Sequence, residues 1–526
     1  MQLSSMSITT YARERWLSQP WHVFLLQAVA GTFLITFAAC LVHLLEPALL
    51  ASFSPKYDGF TWVTGERGLG NFFSVAYDCV FDAGSLFKVA YQKVRNTGSE
   101  IFLTPFPHSN TGFMMLLPRQ FIAEYARQPE AIVSFNKYVR DVMHPKYSLF
   151  GANILDNNLQ KPIVYRELYQ KLGNKIEMMS TELVGALNDV LLPQLDENGE
   201  MKINMWDTAT KFLSRYLDAT VHYAVNMFSR AVYIRFIPRF LRPLLAPLVR
   251  RSLSRDRKIV AKHAVPIIKE RMRILETAEG KGIEADLPND LLSQAIVAAR
   301  REKHSYIEYD PMQIVSRLLA FNFLQSYSNT LITTNCIYDL ISLPKGVFEE
   351  TVADLCEEIN RELAKGDPWS YDYIKRLDVM DSFIRKSLRA NPIGEVGLER
   401  TIMSKEGFTF SNGLHVPQGT TLAAPLKAIQ RDKDNYPSGF DPKRSLRDPA
   451  KPKITTSSPE FLNFGLGHPA CPGRWFAASL QKLAFSHLLL EYDFVRVDQR
   501  PPGVRKVTLV EPCGRSLITL RKRKAT

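Results

Sequence analysis

The sequence lacks the patterns that mark several common classes of protein. Its six cysteines are scattered over 526 residues without a Cys-x-x-Cys pair, which argues against a zinc site or a disulfide framework. It contains no Asn-x-Ser/Thr sequon, low-complexity tract, short repeat or nucleic-acid-binding motif. The absence of both sequons and paired cysteines is typical of a domain that faces a reducing cytosol.

The composition is that of an ordinary globular protein. Hydrophobic residues make up 46% of the chain and charged residues 23%, and the length is sufficient to bury a sizeable core. The net charge of +13 favours an acidic partner or an anionic membrane surface as readily as nucleic acid. Because no nucleic-acid motif is present, we expect no nucleic-acid partner.

One long apolar run stands near the N-terminus. Residues 1–22 are polar and mixed, whereas residues 23–45 are almost wholly apolar. A helix over this run is roughly 34 Å long, enough to cross a bilayer and longer than the apolar core of a signal peptide. We therefore predict a single transmembrane anchor at 23–45, although a buried core helix is the alternative. A glycine-containing linker at 46–75 and one folded domain at 76–526 follow.

The charges that flank this run bear on its orientation. Arg13 and Arg15 precede it and Lys56 follows it. By the positive-inside rule, this slight bias favours a cytosolic N-terminus.

Short β-hairpins and long helices are both predicted in the domain. Residues 101–103 and 113–117 read as strands on either side of a turn at 107–112, and residues 408–416 read as a hairpin around Asn412-Gly413. Amphipathic or apolar helical patterns cover 160–191, 316–340, 345–364 and 371–389.

A stretch near the C-terminus, residues 464–474, places one cysteine among three glycines. A run of helical periodicity follows it, and Pro472 fits the first helical position. Cys471 is therefore predicted at a helix N-terminus, where free N–H groups and the helix dipole favour a thiolate. A buried structural cysteine beside a helix cap is the alternative.

The spacing Phe-x-x-Gly-x-x-x-Cys-x-Gly resembles the haem-thiolate loop of the cytochrome P-450 family, and the flanking residues resemble its fungal, membrane-bound members most. The resemblance implies a haem cofactor with Cys471 as axial iron ligand, because thiolate donation favours O–O cleavage. The other cofactor-binding residues that it implies in this loop are Phe464, Gly467, His468 and Gly473. Relatives carry a basic residue for a haem propionate at the position of Pro469, and the adjacent His468 can substitute.

The helix over 316–340 matches the oxygen-activating helix of that family by position. Its polar run at 325–330 places Ser328 where relatives have a threonine hydroxyl that relays protons, so Ser328 is the predicted catalytic residue. Gln325 stands where a small residue is expected and Tyr327 where an acid is expected. A structural role for this polar run and a catalytic one are equally open.

The helix over 371–389 resembles the family's Glu-x-x-Arg helix, with Lys386 in the position of the glutamate. The resemblance implies that Arg389 and Arg444 belong to the network that holds the loop under the haem. Three explanations are open for Lys386: a carboxylate such as Asp381 or Glu395 compensates it, it is neutral or points to solvent, or the loop is loosely held. Our hypothesis is the last.

Residues 228–273 interleave many arginines with apolar residues and prolines. A solvated helix face over the core is one reading. The apolar residues between Pro238 and Pro247 favour contact with a membrane surface.

We predict a mainly helical α+β domain of the cytochrome P-450-like fold, with small β-sheets, behind the anchor. The resemblance implies a monooxygenase that oxidises a lipophilic small molecule, such as a terpenoid or other secondary metabolite, with electrons from an NADPH-dependent flavoprotein reductase. It also implies a single-pass protein of the endoplasmic reticulum membrane whose catalytic domain faces the cytosol, an orientation that we adopt over the charge bias.

Two other functions are open. Gln325 and Tyr327 suggest a haem enzyme that rearranges or dehydrates its substrate without oxygenase turnover. Lys386 and Pro469 suggest a membrane-anchored scaffold that has lost catalysis.

Overall fold

The structure is a computed structural model. It describes residues 41–42, 45–63, 67–97, 101–106, 109, 111–148, 159–213, 223, 226–227, 230–231, 233–235, 237–238, 240–302, 305–437, 439–506, 508–514 and 516–524. The predicted anchor at 23–45 lies outside the described residues except for 41–42 and 45. Within the described ranges, no helix combines the length and the apolar character needed to cross a membrane.

Helices dominate the described part of the chain. A helical segment at 45–53 is followed by helices that we number α1 Leu69–Phe81, α2 Ala83–Thr97, α3 Arg119–Ala126, α4 Phe135–Met143, α5 Pro145–Ser148, α6 Gln160–Ile163, α7 Ile176–Leu191, α8 Met205–Leu213, α9 Arg242–Val249, α10 Arg251–Lys281, α11 Leu291–Arg301, α12 Ser305–Glu308, α13 Pro311–Ile341, α14 Lys345–Leu363, α15 Tyr371–Arg376, α16 Asp378–Ala390, α17 Leu426–Gln430, α18 Arg444–Arg447 and α19 Arg474–Glu491. A π-helical stretch, Val164–Gln170, continues α6, and short 3-10 turns lie at Pro55–Tyr57, Gly173–Lys175 and Leu192–Gln194.

The strands form small sheets, as predicted. They are β1 Thr61–Trp62, β2 Phe102–Pro105, β3 Phe113–Leu116, β4 Val133–Ser134, β5 Glu200–Asn204, β6 Gly397–Ile402, β7 Phe408–Thr409, β8 His415–Val416, β9 Thr421–Ala424, β10 Tyr492–Phe494, β11 Gly503–Lys506, β12 Leu509–Pro512 and β13 Leu517–Lys522. The largest sheet has the order β1-β2-β3-β9-β6-β4, and a second has the order β10-β13-β5. The predicted hairpins are present as the antiparallel pairs β2–β3 and β7–β8.

The predicted linker at 46–75 is built into the domain where it is described. Ala48, Ala51, Tyr57 and Trp62 are buried in the same apolar cluster as the large sheet, and β1 pairs with β2. The glycines of this segment suggested a linker. In the structure, however, its apolar residues pack against the large sheet.

Helix α19, which follows Cys471, lies at the centre of the helical part. Every residue from Ala478 to Leu489 is buried, in a cluster that also includes side chains of α7, α8, α13, α14 and α16. Helices of such a protein usually have one polar face, so the polar side chains of α19 need partners inside the protein.

Lys482 of α19 has such a partner on α16. Its ammonium group lies 2.6 Å from the carboxylate of Asp381, and both side chains are 5% exposed. Asp381 also accepts a hydrogen bond from the backbone N–H of Ile454. The pair therefore joins α19, α16 and the segment before the cysteine loop.

The helix predicted at 371–389 is interrupted at Leu377. The carboxylate of Glu358 on α14 accepts hydrogen bonds from the backbone N–H groups of Val379 and Met380, at 2.7 and 3.0 Å. These bonds satisfy the free N–H groups with which α16 begins, so a new helix starts at Asp378. A sequence pattern does not reveal a cap that comes from a distant helix.

The Asp381–Lys482 pair gives a direct stability prediction. Asp381→Asn leaves Lys482 buried without a counter-charge, which should lower the free energy of unfolding by about 3–5 kcal/mol. Urea unfolding followed by circular dichroism measures the change. The control is Asp372→Asn, which breaks an exposed pair with Lys375 and should lower stability far less, because solvent screens exposed charges. Equal losses in the two variants would contradict a structural role for the buried pair.

Candidate active site

The cysteine loop is closed by backbone hydrogen bonds. The N–H of Cys471 donates to the carbonyl of Phe464 at 2.8 Å, and the N–H of Ala470 donates to the carbonyl of Gly467 at 3.1 Å. Gly465 and Gly467 have φ angles of 75° and 77°, which other residues rarely adopt. The loop geometry therefore depends on these glycines.

Gly467 is also required by its neighbour. A Cβ atom built on it would lie 1.9 Å from the carbonyl oxygen of Ala126, at the end of α3. The predicted site residue Gly467 thus allows the loop to pack directly on the backbone of α3.

The helix after the loop begins later than predicted. Pro472 lies in a turn, Gly473 is the N-cap, and α19 starts at Arg474. Cys471 therefore lies before the helix cap instead of beside the first helical residue. The guanidinium of Arg474 turns back and donates to the carbonyl of Cys471 at 2.8 Å.

The thiol of Cys471 is the one exposed thiol among the cysteines that the structure describes. Although its sulfur reaches the surface, the surrounding protein desolvates it enough to raise its pKa. The Gly473 N–H and the Arg474 charge act in the opposite direction and are outweighed. The prediction that the helix terminus alone favours a thiolate is therefore wrong, and a bound cation would be needed to hold the sulfur deprotonated.

The remaining predicted residues of the loop differ in their surroundings. Phe464 is buried in the central apolar cluster, whereas His468 is exposed at the outer end of the loop. A Cβ on Gly473 would lie 4.0 Å from the sulfur of Cys471 and 4.0 Å from Val164, which are ordinary contact distances.

Ser328 lies on α13, half-buried, and donates a long hydrogen bond of 3.4 Å to the carbonyl of Gln325. The hydroxyl of Tyr327 donates to Glu511 on β12 at 2.7 Å, and its ring lies edge-on to Trp206 of α8. The bulky Tyr327 side chain is thus held by β12 and α8. Burial and the Glu511 charge raise the pKa of Tyr327.

The other polar residues of this run have structural partners. Gln481 of α19 donates to the backbone and side-chain oxygens of Asn329, at 3.2 and 3.1 Å. It accepts a hydrogen bond of 2.8 Å from the hydroxyl of Thr333. This network joins α13 to the helix that follows Cys471. Sequence reasoning missed Gln481, although the polar residues 329 and 333, one helical turn apart, indicated a shared partner.

Lys386, Arg389 and Arg444 surround the ring of Tyr436. Their charged groups lie 6.0, 4.2 and 4.7 Å from its centroid. Cation–π contacts of this kind are worth about 0.5–2 kcal/mol each. An aromatic ring thus lies among these three cations.

The structure bears on the first two explanations of Lys386, whereas the loosely held loop stays a prediction. Asp381 is paired with Lys482 and Glu395 with Lys427, at 2.6 and 2.7 Å, so neither compensates it. Lys386 is 3% exposed and does not point to solvent. Burial and the charge of Arg389 lower the pKa of Lys386 to about 7, which favours the explanation that it is largely neutral at higher pH.

The same cluster acts on Arg389, which is also buried. Burial lowers its pKa to about 10. Its guanidinium donates to the carbonyls of Gln430 and Gly439, while Gln430 accepts the N–H of Leu462 at 2.9 Å. Arg389 is therefore connected through Gln430 to the segment that enters the cysteine loop.

Gly467→Ala should displace the loop from α3 and strain its backbone. We expect a loss of at least about 2 kcal/mol of stability and faster loss of any bound cofactor, measured by thermal unfolding and by cofactor content per protein. Gly413→Ala is a matched control, since Gly413 has a φ of 85° in an open hairpin turn. Cofactor loss that is equal in both variants would contradict a specific role for Gly467.

Lys386 predicts a pH dependence of stability. Its pKa is about 7 in the folded protein and about 10.4 in an unfolded chain. Between these values the unfolded chain binds one more proton, so stability should increase as the pH rises through this window. Lys386→Met should flatten that increase in phosphate-free buffer, measured by urea unfolding at several pH values. An unchanged slope in the variant would contradict the lowered pKa.

The chain is similar to known proteins over most of its length. The family model for Cytochrome P450 matches residues 194–514. The chain is 26% identical over 445 residues to the cytochrome P450 monooxygenase avaL of Aspergillus versicolor, covering 77% of this chain and 78% of that protein. It is 28% identical to htyF of Aspergillus rugulosus, covering 76% and 63%, and 27% identical to gloP of Glarea lozoyensis, covering 78% and 82%. Both are also cytochrome P450 monooxygenases.

Proposed function

We propose that this chain, which belongs to the cytochrome P450 family, is a membrane-bound monooxygenase that oxidises a lipophilic small molecule. As a member of that family it is an oxidoreductase and uses a haem cofactor. The observation that carries the proposal is the exposed thiol of Cys471 on a loop that glycines and backbone hydrogen bonds hold in shape.

The residues of the loop fit a haem iron. Cys471 offers one soft sulfur ligand, and no other described cysteine is exposed. Gly473, two residues after Cys471, has no side chain that would compete with a planar group beside the sulfur. When bound through Cys471, the haem would supply oxygen activation, which donation from a thiolate favours.

Ser328 is the residue of this chain that we assign to proton movement. Its hydroxyl lies on α13, which the network around Gln481 ties to the helix after Cys471. The Oγ atom would accept a proton from the solvent side and donate it towards the reacting oxygen. The Tyr327 hydroxyl donates to Glu511. This contact supports the proposal that the Tyr327 side chain does not occupy the space in which the reactants would meet Ser328.

Contact with a membrane is supported by exposed apolar side chains. Phe240, Leu244 and Leu248, on and before α9, are 60–71% exposed. In the helical segment that follows the predicted anchor, Leu49, Leu50 and Phe53 are 42–63% exposed. Side chains of this size are normally exposed only singly, so two such groups favour a surface that meets lipid.

These two groups border the same turn between β2 and β3. Arg235, just before α9, donates to the carbonyl of Ser109. A Cβ on Gly112 would lie 2.1 Å from Pro47 in the N-terminal helical segment. Both groups thus lie near one turn, which supports contact with a membrane on that side. From the resemblance to fungal relatives we also propose a single-pass protein of the endoplasmic reticulum membrane whose catalytic domain faces the cytosol.

A flavoprotein reductase fed by NADPH would dock beside the cysteine loop. Arg127, at the end of α3, is exposed and follows Ala126, which contacts Gly467. Arg474 is also close to Cys471, because its guanidinium donates to the Cys471 carbonyl. These cations near Cys471 would attract an acidic surface of the reductase, because complementary charge steers association.

The proposed reaction is tested with isotopically heavy dioxygen. Membranes that contain the full chain, a flavoprotein reductase and NADPH are incubated with a panel of terpenoids and other lipophilic metabolites. The proposal expects a product that contains one labelled oxygen atom. A product without label would instead favour the rearrangement or dehydration that Gln325 and Tyr327 suggested, and no product with any compound would favour a scaffold.

Ser328→Ala should reduce product formation by about 10²-fold or more if its hydroxyl moves the proton. Hydrogen peroxide released per NADPH should rise, because reduced oxygen then leaves unproductively. Ser326→Ala, on the same helix and also half-buried, is the matched control. Unchanged turnover and peroxide release in Ser328→Ala would remove Ser328 from the mechanism.

A further inference from the structure

A cleft of about 390 Å³ lies between α16 and the segment that leads to the cysteine loop. Four cationic side chains and two carboxylates line it: Arg385, Lys386, Arg389, Arg444, Asp448 and Glu460. The lining thus carries an excess of positive charge beside the buried helix α16.

The two innermost cations are bound to backbone oxygens. Lys386 and Arg389 both donate to the carbonyl of Gly439, and Arg389 donates in addition to the carbonyl of Gln430. Both side chains are almost fully buried, with 3% and 6% of their surface exposed. A carbonyl carries only a partial charge, so these contacts leave the Arg389 guanidinium, and the Lys386 amine whenever it is protonated, buried without an anion.

The two outer cations are bound in the same way. Arg444 donates to the carbonyl of Asn435 at 2.9 Å. Arg385 donates to the carbonyls of Lys453 and Thr456, at 2.8 and 2.7 Å. Among the described residues, no carboxylate lies within ion-pair distance of any of the four cations.

The carboxylates nearby have other partners. Glu460 lies 3.2 Å from Arg119, and Asp441 is paired with Arg447. Asp381 is paired with Lys482. Asp448 is exposed at the edge of the cleft, where solvent screens its charge.

One buried donor inside this cluster has no acceptor. The Nε atom of Arg389 is inaccessible to solvent and makes no hydrogen bond with any described residue. A buried, unsatisfied donor costs about 1–3 kcal/mol, and more on a charged group. Native proteins rarely keep such a group without a ligand, a water molecule or a function.

We propose that this cleft binds a small oxyanion of the phosphate class. The anion would supply the negative charge that Lys386 removes from α16. Guanidinium groups bind phosphate oxygens through paired N–H donors, and a lysine adds a point charge. The cleft is large enough for a free phosphate ion or for the phosphate of a small ester, and both share this chemistry.

The bound anion would stabilise the cysteine loop through contacts already described. Arg389 is hydrogen-bonded to the carbonyl of Gln430, and the side chain of Gln430 accepts the N–H of Leu462 and the amide of Asn463, at 2.9 and 3.0 Å. Phe464, next in the chain, accepts the N–H of Cys471. Anion binding should therefore raise both global stability and retention of the cofactor.

The test uses the purified full-length holoprotein in detergent. Thermal unfolding is followed while inorganic phosphate replaces chloride at constant ionic strength and pH. The proposal expects a saturable increase in Tm that phosphate produces and chloride does not, with slower loss of haem. Glycerol phosphate in a parallel series distinguishes an ester from the free ion. A Tm that depends on ionic strength alone overturns the proposal.

Two variants of Lys386 and one control variant test whether phosphate acts at this cleft. Lys386→Glu places a carboxylate in the cleft, so its Tm without phosphate should exceed that of the parent and its response to phosphate should vanish. Lys386→Met keeps a long unbranched side chain without the charge and should weaken the apparent affinity for phosphate about tenfold or more. Lys405→Glu makes the same change of net charge at an exposed site and should respond as the parent does. A full phosphate response in Lys386→Glu overturns the proposal. The readout is unfolding, so it does not depend on oxygenase activity.

Discussion

The buried ion pair between Lys482 and Asp381 is the interaction on which the rest of the site depends. The helix that follows Cys471 is surrounded by protein, so its charged residue requires a counter-charge at 2.6 Å instead of water. That counter-charge lies on α16, which also carries Lys386 and Arg389. One electrostatic requirement therefore fixes the cysteine loop, the central helix and the cation cluster relative to one another.

The chemistry of the loop could be predicted from the sequence because it is local. The spacing of Phe464, Gly467, Cys471 and Gly473 dictates a tight turn that closes on itself, and Gly465 and Gly467 have the positive φ angles that such a turn requires. The hairpins and long helices were predicted for the same reason, since turn residues and apolar periodicity act over a few residues. The family resemblance that the sequence suggested also rests on such local motifs.

What the sequence did not predict depends on distant partners. The pKa of Cys471 is raised because surrounding protein desolvates it, whereas the pattern suggested only the helix dipole. Glu358, on a distant helix, accepts hydrogen bonds from Val379 and Met380, so the helix predicted at 371–389 is two helices. Gln481 is the hydrogen-bond partner of the buried Asn329. Tyr436 lies among the cations near Lys386. The spacing of residues in the sequence predicts neither neighbour. The polar run at 325–330 thus contains structural residues beside the candidate Ser328.

The central claim is that Cys471 binds the haem iron through its sulfur on a loop shaped for that purpose. The most direct measurement is the carbon-monoxide difference spectrum of the reduced full-length protein, compared with that of Cys471→Ser and of Cys513→Ser, a half-buried cysteine. The Soret band of thiolate-ligated haem should appear in the parent and in Cys513→Ser and be absent from Cys471→Ser. The same band in Cys471→Ser, or its absence from a parent that contains haem, would contradict the claim.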